Sequence, residues 1–159
     1  MEQHSRARTN DEIGQLRRWH EIDITNTPGT VFEAVGGEEP IRRLVQRFYQ
    51  GVAEDQLLRS MYPEEDLGPA EERMALFLIQ FWGGPRSYSE RRGHPRLRMR
   101  HAPFRVDRVA HDAWLRHMRA AIDTLHLPQN VEQQLWDDLV STAAVMINTR
   151  EPLEEKRTP

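Results

Sequence analysis

Cysteine is absent from this 159-residue chain. That excludes disulfide frameworks, thiolate-bound zinc or iron–sulfur centres and cysteine nucleophiles, and any metal must be met by nitrogen or oxygen. The same absence suits a reducing compartment, so a cytoplasmic location is expected. Long apolar runs are lacking too. The most apolar stretch, around Ala75 to Ile79, is far short of the roughly 20 residues that a membrane-spanning helix needs. The polar segment from Glu2 to His20 has no apolar centre that could act as a secretory signal. Neither membrane insertion nor export is therefore expected. Strand-like alternation of useful length, internal repeats and HExxH or CxxC elements do not occur. The net charge of −3 argues against a globally basic nucleic-acid binder. That charge is unevenly spread: Arg86 to Arg105 holds seven arginines and one acidic residue, Glu90.

What is present reads as helices. Residues 1–30 are polar, end in the turn-like Asn26-Thr27-Pro28-Gly29, and are expected to form a flexible extension before a domain over 31–150 and a polar tail over 151–159. Val31, Phe32 and Val35 suit one helical turn, stopped by Gly36-Gly37. Glu38, Glu39 and Pro40 suit the start of a new helix, along which Ile41, Leu44, Val45, Phe48 and Val52 form a buried stripe, with Tyr49 beside it and Gly51 as a weak point. Leu57, Leu58, Met61 and Tyr62 form an apolar link interrupted by Pro63. Pro69, Glu71 and Glu72 then start a helix carrying Ala70, Met74, Phe77, Leu78 and Phe81, ended by Gly83-Gly84-Pro85. The arginine-rich stretch to Phe104 is expected to be mostly loop, with one short helix before Pro103. Asp107 is a candidate N-cap for a helix through Leu125 with Ala110, Trp114, Met118, Ala121, Ile122 and Leu125 on its inner face. A last helix over 131–148 places Val131, Leu135, Leu139, Ala143 and Met146 on one stripe. An all-α domain follows, and periodicity alone leaves open a bundle or a crossing, globin-like arrangement.

Seven histidines are present, and taken singly each reads as a surface or structural residue. No pair lies at i, i+4 with a third ligand, so a mononuclear zinc enzyme has poor support. His101 differs in context. It ends a short helical segment containing Leu97 and Met99 and precedes Ala102-Pro103-Phe104, where the proline fixes the chain direction. The run Phe81-Trp82-Gly83-Gly84-Pro85-Arg86-Ser87-Tyr88-Ser89, followed by Arg92-Gly93-His94-Pro95-Arg96-Leu97-Arg98-Met99-Arg100-His101-Ala102-Pro103-Phe104, resembles the group II truncated haemoglobins. Phe32-Glu33-Ala34-Val35-Gly36-Gly37 and Ala53-Glu54-Asp55 extend that resemblance over about residues 31 to 150.

The resemblance implies a truncated globin fold, a two-over-two helical sandwich around haem b, with His101 as the axial iron ligand. It also implies a distal pocket of Tyr49, Tyr62 and Trp114, with Ala70 at the entrance and Met74, Phe77 and Leu78 along the apolar wall. Phe48, Met99, Phe104, Met118 and Met146 are added as pocket lining. Two phenols and one indole N–H are directed donors, and they favour dioxygen, which gains partial superoxide character at the haem, over neutral carbon monoxide. Taken singly, such aromatics on inner helix faces simply fill volume. Together with His101 and the diglycine motifs they point to a gas pocket with high oxygen affinity.

The basic segment has two readings, a phosphate-binding patch or cations near the two haem propionates. On the second, Arg98 or Arg100 is the expected propionate partner, with assistance from Tyr88, while Arg91, Arg92 and Arg96 are solvated. The implied activity is reversible binding of dioxygen and other diatomic gases by a monomer or weak homodimer. Nitric oxide dioxygenase or peroxidase-like chemistry is the enzymatic alternative and would require an external reductase. A haem-free helical module binding nucleic acid or an acidic partner is the remote one.

Overall fold

The computed structural model describes residues 29–149, and among these the secondary structure is helical, without strands. Eight helices follow one another: α1 (Val31–Ala34), α2 (Glu38–Glu54), α3 (Gln56–Arg59), α4 (Gly68–Phe81), α5 (Ser87–Arg92), α6 (Leu97–His101), α7 (Arg108–Asp123) and α8 (Gln129–Met146). The expected flexibility of residues 1–28 and the polar tail from residue 150 onward lie outside the described residues. Gly29 and Thr30, assigned above to the extension, already belong to the folded part. Thr30 caps α1 by accepting from the Glu33 N–H, and the Gly29 N–H donates to the Glu33 carboxylate.

The long helices form where the apolar period is 3.6. On α2 the stripe Ile41, Leu44, Val45, Phe48, Tyr49 and Val52 is buried, opened by Glu38 and Glu39 at the positive end of the helix dipole. Each large side chain so buried stabilises the fold by about 1.5–3 kcal/mol relative to exposure. Asp55 ends α2 and caps α3, accepting from the Leu57 and Leu58 N–H groups at 3.0 and 3.3 Å. Asp107 caps α7 through the Ala110 N–H at 2.9 Å, as its position before the apolar stripe predicts.

Packing joins α2 to both α4 and α7, and α7 to α8, so the four long helices make two pairs with α2 crossing between them. The short helices pack on different partners, α3 on α2 and α7, α5 on α4 and α6 on α8. Two glycines permit close approaches that any larger residue would block. A Cβ on Gly84 would come within 2.7 Å of the Phe32 ring, where α1 sits on the end of α4 through a Phe32 N–H to Trp82 carbonyl bond of 2.8 Å. A Cβ on Gly51 would lie 2.4 Å from His117 Nδ1, where α2 meets α7.

The structure differs from the sequence reading in two respects. The arginine-rich stretch contains two short helices rather than one, because buried Gln80 accepts from the Ser89 N–H at 2.9 Å and donates to the Ser89 hydroxyl at 2.6 Å, fixing the first turn of α5. The last helix starts at Gln129, directly behind Pro128, and ends at Met146. Asn148 lies beyond it and folds back onto α6, with consequences described below.

Candidate functional site

One cavity of about 550 Å³ lies between α2, α4, α6, α7 and α8. It falls within the range of roughly 300–1,000 Å³ typical of small-molecule and cofactor sites. Its walls are mostly apolar, with Leu58, Met61, Ala70, Met74, Phe77, Leu78, Leu97, Val106, Leu139 and Met146 all contributing. Set into these walls are a few polar groups from separate elements.

Tyr49 comes from α2, Tyr62 from the loop after α3, and Trp114 from α7. The two phenol oxygens are 3.5 Å apart and their rings meet edge to face with centroids 5.6 Å apart. Burial holds the Tyr49 hydroxyl far above the ordinary phenol range and also raises Tyr62, so both remain protonated donors at any ordinary pH. Phe48 supports the set from behind, its ring edge-on to Tyr49 at 5.1 Å and to Trp114 at 5.5 Å. The loop bearing Tyr62 is organised by Arg59, whose guanidinium donates to the carbonyls of Tyr62, Glu64 and Glu65 at 3.2, 2.8 and 2.9 Å. Glu64 and Arg73, paired at 2.8 Å, complete that side, and the bond to Arg73 holds the Glu64 carboxyl below its usual range.

His101 lines the cavity from the last turn of α6. Its Nδ1 lies 2.7 Å from the Leu97 carbonyl, and a carbonyl can only accept, so the proton sits on Nδ1 and Nε2 keeps its lone pair. No hydrogen-bond partner for Nε2 occurs among the described residues. The backbone around this ring is clasped by Asn148. Its amide nitrogen donates to the carbonyls of His101 and Phe104 at 3.1 and 2.9 Å, and its oxygen accepts from the Val106 N–H at 2.9 Å. A single side chain thus pins the segment that follows the imidazole, and with the Thr149 hydroxyl donating to the same oxygen at 3.0 Å all four of the amide's hydrogen-bonding directions are used.

Arg100 and Arg92 reach the same cavity beside buried Tyr88. Each guanidinium carbon lies 5.9 Å from the Tyr88 ring centre, and Arg100 is braced by the carbonyls of Pro95 and Arg92 at 2.8 and 2.9 Å.

Of the residues singled out in the sequence, His101, Tyr49, Tyr62, Trp114, Ala70, Met74, Phe77, Leu78, Phe104, Met146, Arg100 and Tyr88 share this cavity. Four do not, each for a geometric reason. Arg98 and Met99 are exposed, Met99 at 59 %, because helical steps of 100° turn them away when Leu97, Arg100 and His101 face inward. Phe48 points one step away from Tyr49 into the seam between helices, and Met118, one turn beyond Trp114, is sealed in the core. Conversely, Arg92, expected to be solvated, reaches the cavity rim. Arg59, Arg73, Glu64 and Asn148 carried no signal in the sequence, since their partners are backbone carbonyls or residues brought close only by folding.

A profile of the bacterial-like globin family matches residues 30–148. Among curated relatives, the Group 2 truncated hemoglobin YjbI of Bacillus subtilis is 40 % identical over 120 residues, which is 76 % of this chain and 89 % of the relative. Among solved structures, a thermostable hemoglobin from Thermobifida fusca aligns with 66 % identity and a TM-score of 0.74, covering 76 % of this chain and 98 % of that one. The truncated oxygen-avid haemoglobin of Bacillus subtilis aligns with 39 % identity and a TM-score of 0.71, covering 76 % of this chain and all (100 %) of that one.

Proposed function

This chain belongs to the bacterial-like globin family as a group 2 truncated haemoglobin, and from that premise we propose that it retains dioxygen tightly through donors on α2, α7 and the loop after α3. Haem b is the cofactor of this family, and when bound it would supply an iron able to bind a diatomic gas. The cavity fits that group on three counts. Its volume and apolar walls suit a porphyrin-sized ligand. The His101 imidazole is committed through Nδ1 and offers Nε2, the state in which imidazole ligates a metal. Arg92 and Arg100 supply cations for two carboxylates.

In this reading His101 would hold the iron through Nε2, and the carbonyl of Leu97 orients its ring and increases its basicity. Tyr49, Tyr62 and Trp114 keep donor protons in a mostly apolar cavity, where a charge-bearing acceptor is favoured over a neutral one. Arg100 and Arg92 would hold the propionates at the rim, each guanidinium lying over the Tyr88 ring. Ala70 leaves the approach open.

The observation that carries the proposal is the sharing of one cavity by an imidazole held through Nδ1 and three donors from independent elements, Tyr49 buried and Tyr62 and Trp114 partly buried. The oxygen-avid character of the Bacillus subtilis haemoglobin supports the same direction here. A net hydrogen bond contributes roughly 0.5–1.5 kcal/mol, so two working donors slow release by about one to two decades. Stopped-flow displacement of oxygen from the reduced protein tests this. Slow release that accelerates in Tyr49→Phe is expected, whereas fast release unaffected by that change would overturn the proposal.

A further inference from the structure

The propionates account for Arg92 and Arg100, and the remaining arginines of the basic segment are left over. Arg86, Arg91, Arg96 and Arg98 are exposed and have no salt bridge among the described residues; Arg108 follows at the start of α7, and Arg105 lies between, 3.5 Å from the Asp107 carboxylate. Like charges gathered this way repel one another and weaken the compact state. In a chain of net charge −3 such a local excess is not a by-product of overall composition. Arg96 adds an independent sign. It sits at φ 42°, in the left-handed region where glycine or asparagine would be far less strained, and its N–H is held by His94 Nδ1 at 3.1 Å. The strained position thus carries an exposed side chain of the same basic stretch.

The same stretch also exposes apolar side chains. Three of the four large apolar side chains exposed among the described residues are Met99 (59 %), Val109 (57 %) and Phe104 (38 %), the last of which also lines the cavity, all within ten residues of sequence and interspersed with Arg96, Arg98, Arg105 and Arg108. An apolar centre with a charged rim is the anatomy of a protein–protein interface, with methionine adapting to its partner. A phosphate-binding surface has no use for that centre, and the patch lacks the row of exposed aromatic rings on which single-stranded bases stack. Its position gives the contact a purpose. Helix α6 turns Arg98 and Met99 outward and Leu97, Arg100 and His101 inward, so a partner seated on Met99 lies about one helix diameter, roughly 10 Å, from the cavity.

We propose that the arginine-rimmed patch centred on Met99 is the docking surface for an acidic one-electron carrier protein of the iron–sulfur or a comparable redox class, which reduces the haem through α6. This rests on the haem reading above. The exchange is a single electron transfer: the carrier's reduced centre is oxidised by one electron, ferric haem iron becomes ferrous, and no covalent bond forms or breaks.

The test uses the haem-loaded full chain and an acidic plant-type [2Fe–2S] ferredoxin as the probe. Reduction by the reduced probe is followed in the Soret band, and binding of the oxidised probe is followed by calorimetry over a salt series. The double variant Arg96→Glu/Arg98→Glu is expected to slow the second-order reduction roughly tenfold to hundredfold, to remove its salt dependence and to abolish binding. Met99→Ser is expected to weaken binding with the salt dependence intact. Reduction by dithionite and the carbon monoxide spectrum should not change in either variant. Rates and binding within about twofold of the unaltered protein would overturn the proposal, as would a duplex oligonucleotide that displaces the ferredoxin at physiological salt. An absent Soret band refutes the haem reading instead, and the calorimetric arm still decides whether the patch docks an acidic protein.

Discussion

The two sides of the cavity are built on different principles. The side bearing Tyr49 and Trp114 comes from long amphipathic helices, and its functional side chains are also core side chains, fixed by the rings and methyl groups around them. The side bearing His101 comes from two short helices in a stretch rich in arginine, glycine and proline. No residue of α6 is buried, and its order comes from side chains that bind backbone: Asn148 on three groups, Arg100 on two carbonyls and His101 on one. Packing tolerates substitutions of similar volume, whereas a backbone clasp depends on one side chain and its donor geometry. The donor side should therefore be adjustable in ligand affinity without loss of fold, and the histidine side should not.

The sharpest way to break this contrast is His101→Gly. Loss of the imidazole that the Leu97 carbonyl positions should abolish the native carbon monoxide spectrum, with recovery on adding free imidazole. An unchanged spectrum would remove the basis for the asymmetry. Next in size, Tyr49→Phe combined with Trp114→Leu should speed oxygen release by about one to two decades, with thermal stability changed far less than in any histidine-side variant, as followed by stopped flow and calorimetry. Asn148→Ala leaves two carbonyls and one N–H without their partner and should cost about 1–3 kcal/mol in urea unfolding. It should also hasten haem loss to apomyoglobin, which a volume-matched change in the opposite wall does not do.

The smallest effect is at the junction of α2, α3 and α7. Asp55 accepts from His117 Nε2 at 2.7 Å, and that bond together with the Leu57 and Leu58 N–H groups holds its carboxyl below the ordinary 3.8. A carboxyl lowered on folding contributes stability above its unfolded value, and the contribution disappears as the pH falls through the folded one. Asp55→Asn keeps the helix cap but removes the charge. It should cost about 1 kcal/mol near neutrality and flatten the loss of stability below about pH 4, in urea midpoints measured from pH 7 to pH 3.

The donor side was the more legible in sequence for the same reason that it is the more robust. Stripes of period 3.6 reveal both the helix and the face on which Tyr49 and Trp114 lie, and Asp107 and Pro69 mark helix starts through local chemistry. The resemblance to truncated haemoglobins supplied the assignment of roles that periodicity could not. On the other side, proximity in sequence proved a poor guide. Arg98 is closer to His101 in the chain than Arg92 is, yet Arg92 lines the cavity and Arg98 does not, since five residues of helix suffice to reverse a side chain's direction. Asn148 was invisible because its three bonds span 42 to 47 residues and end on backbone atoms that carry no sequence signature. Gln80, buried at the end of α4, organised α5 by the same kind of unannounced bond.

Gly51 sets a dimension of the gas pocket from outside it. The His117 ring occupies the space where a side chain at position 51 would begin, and Tyr49 and Trp114 stand two and three residues away on the two helices that meet there. The spacing between these donors is thus governed by an absent methyl group that neither touches. Alanine at 51 would act as a shim, prising α2 from α7 and widening the gap in which a small gas is gripped. Selection for faster or slower ligand exchange therefore has a mechanical adjustment available that leaves every pocket residue unchanged.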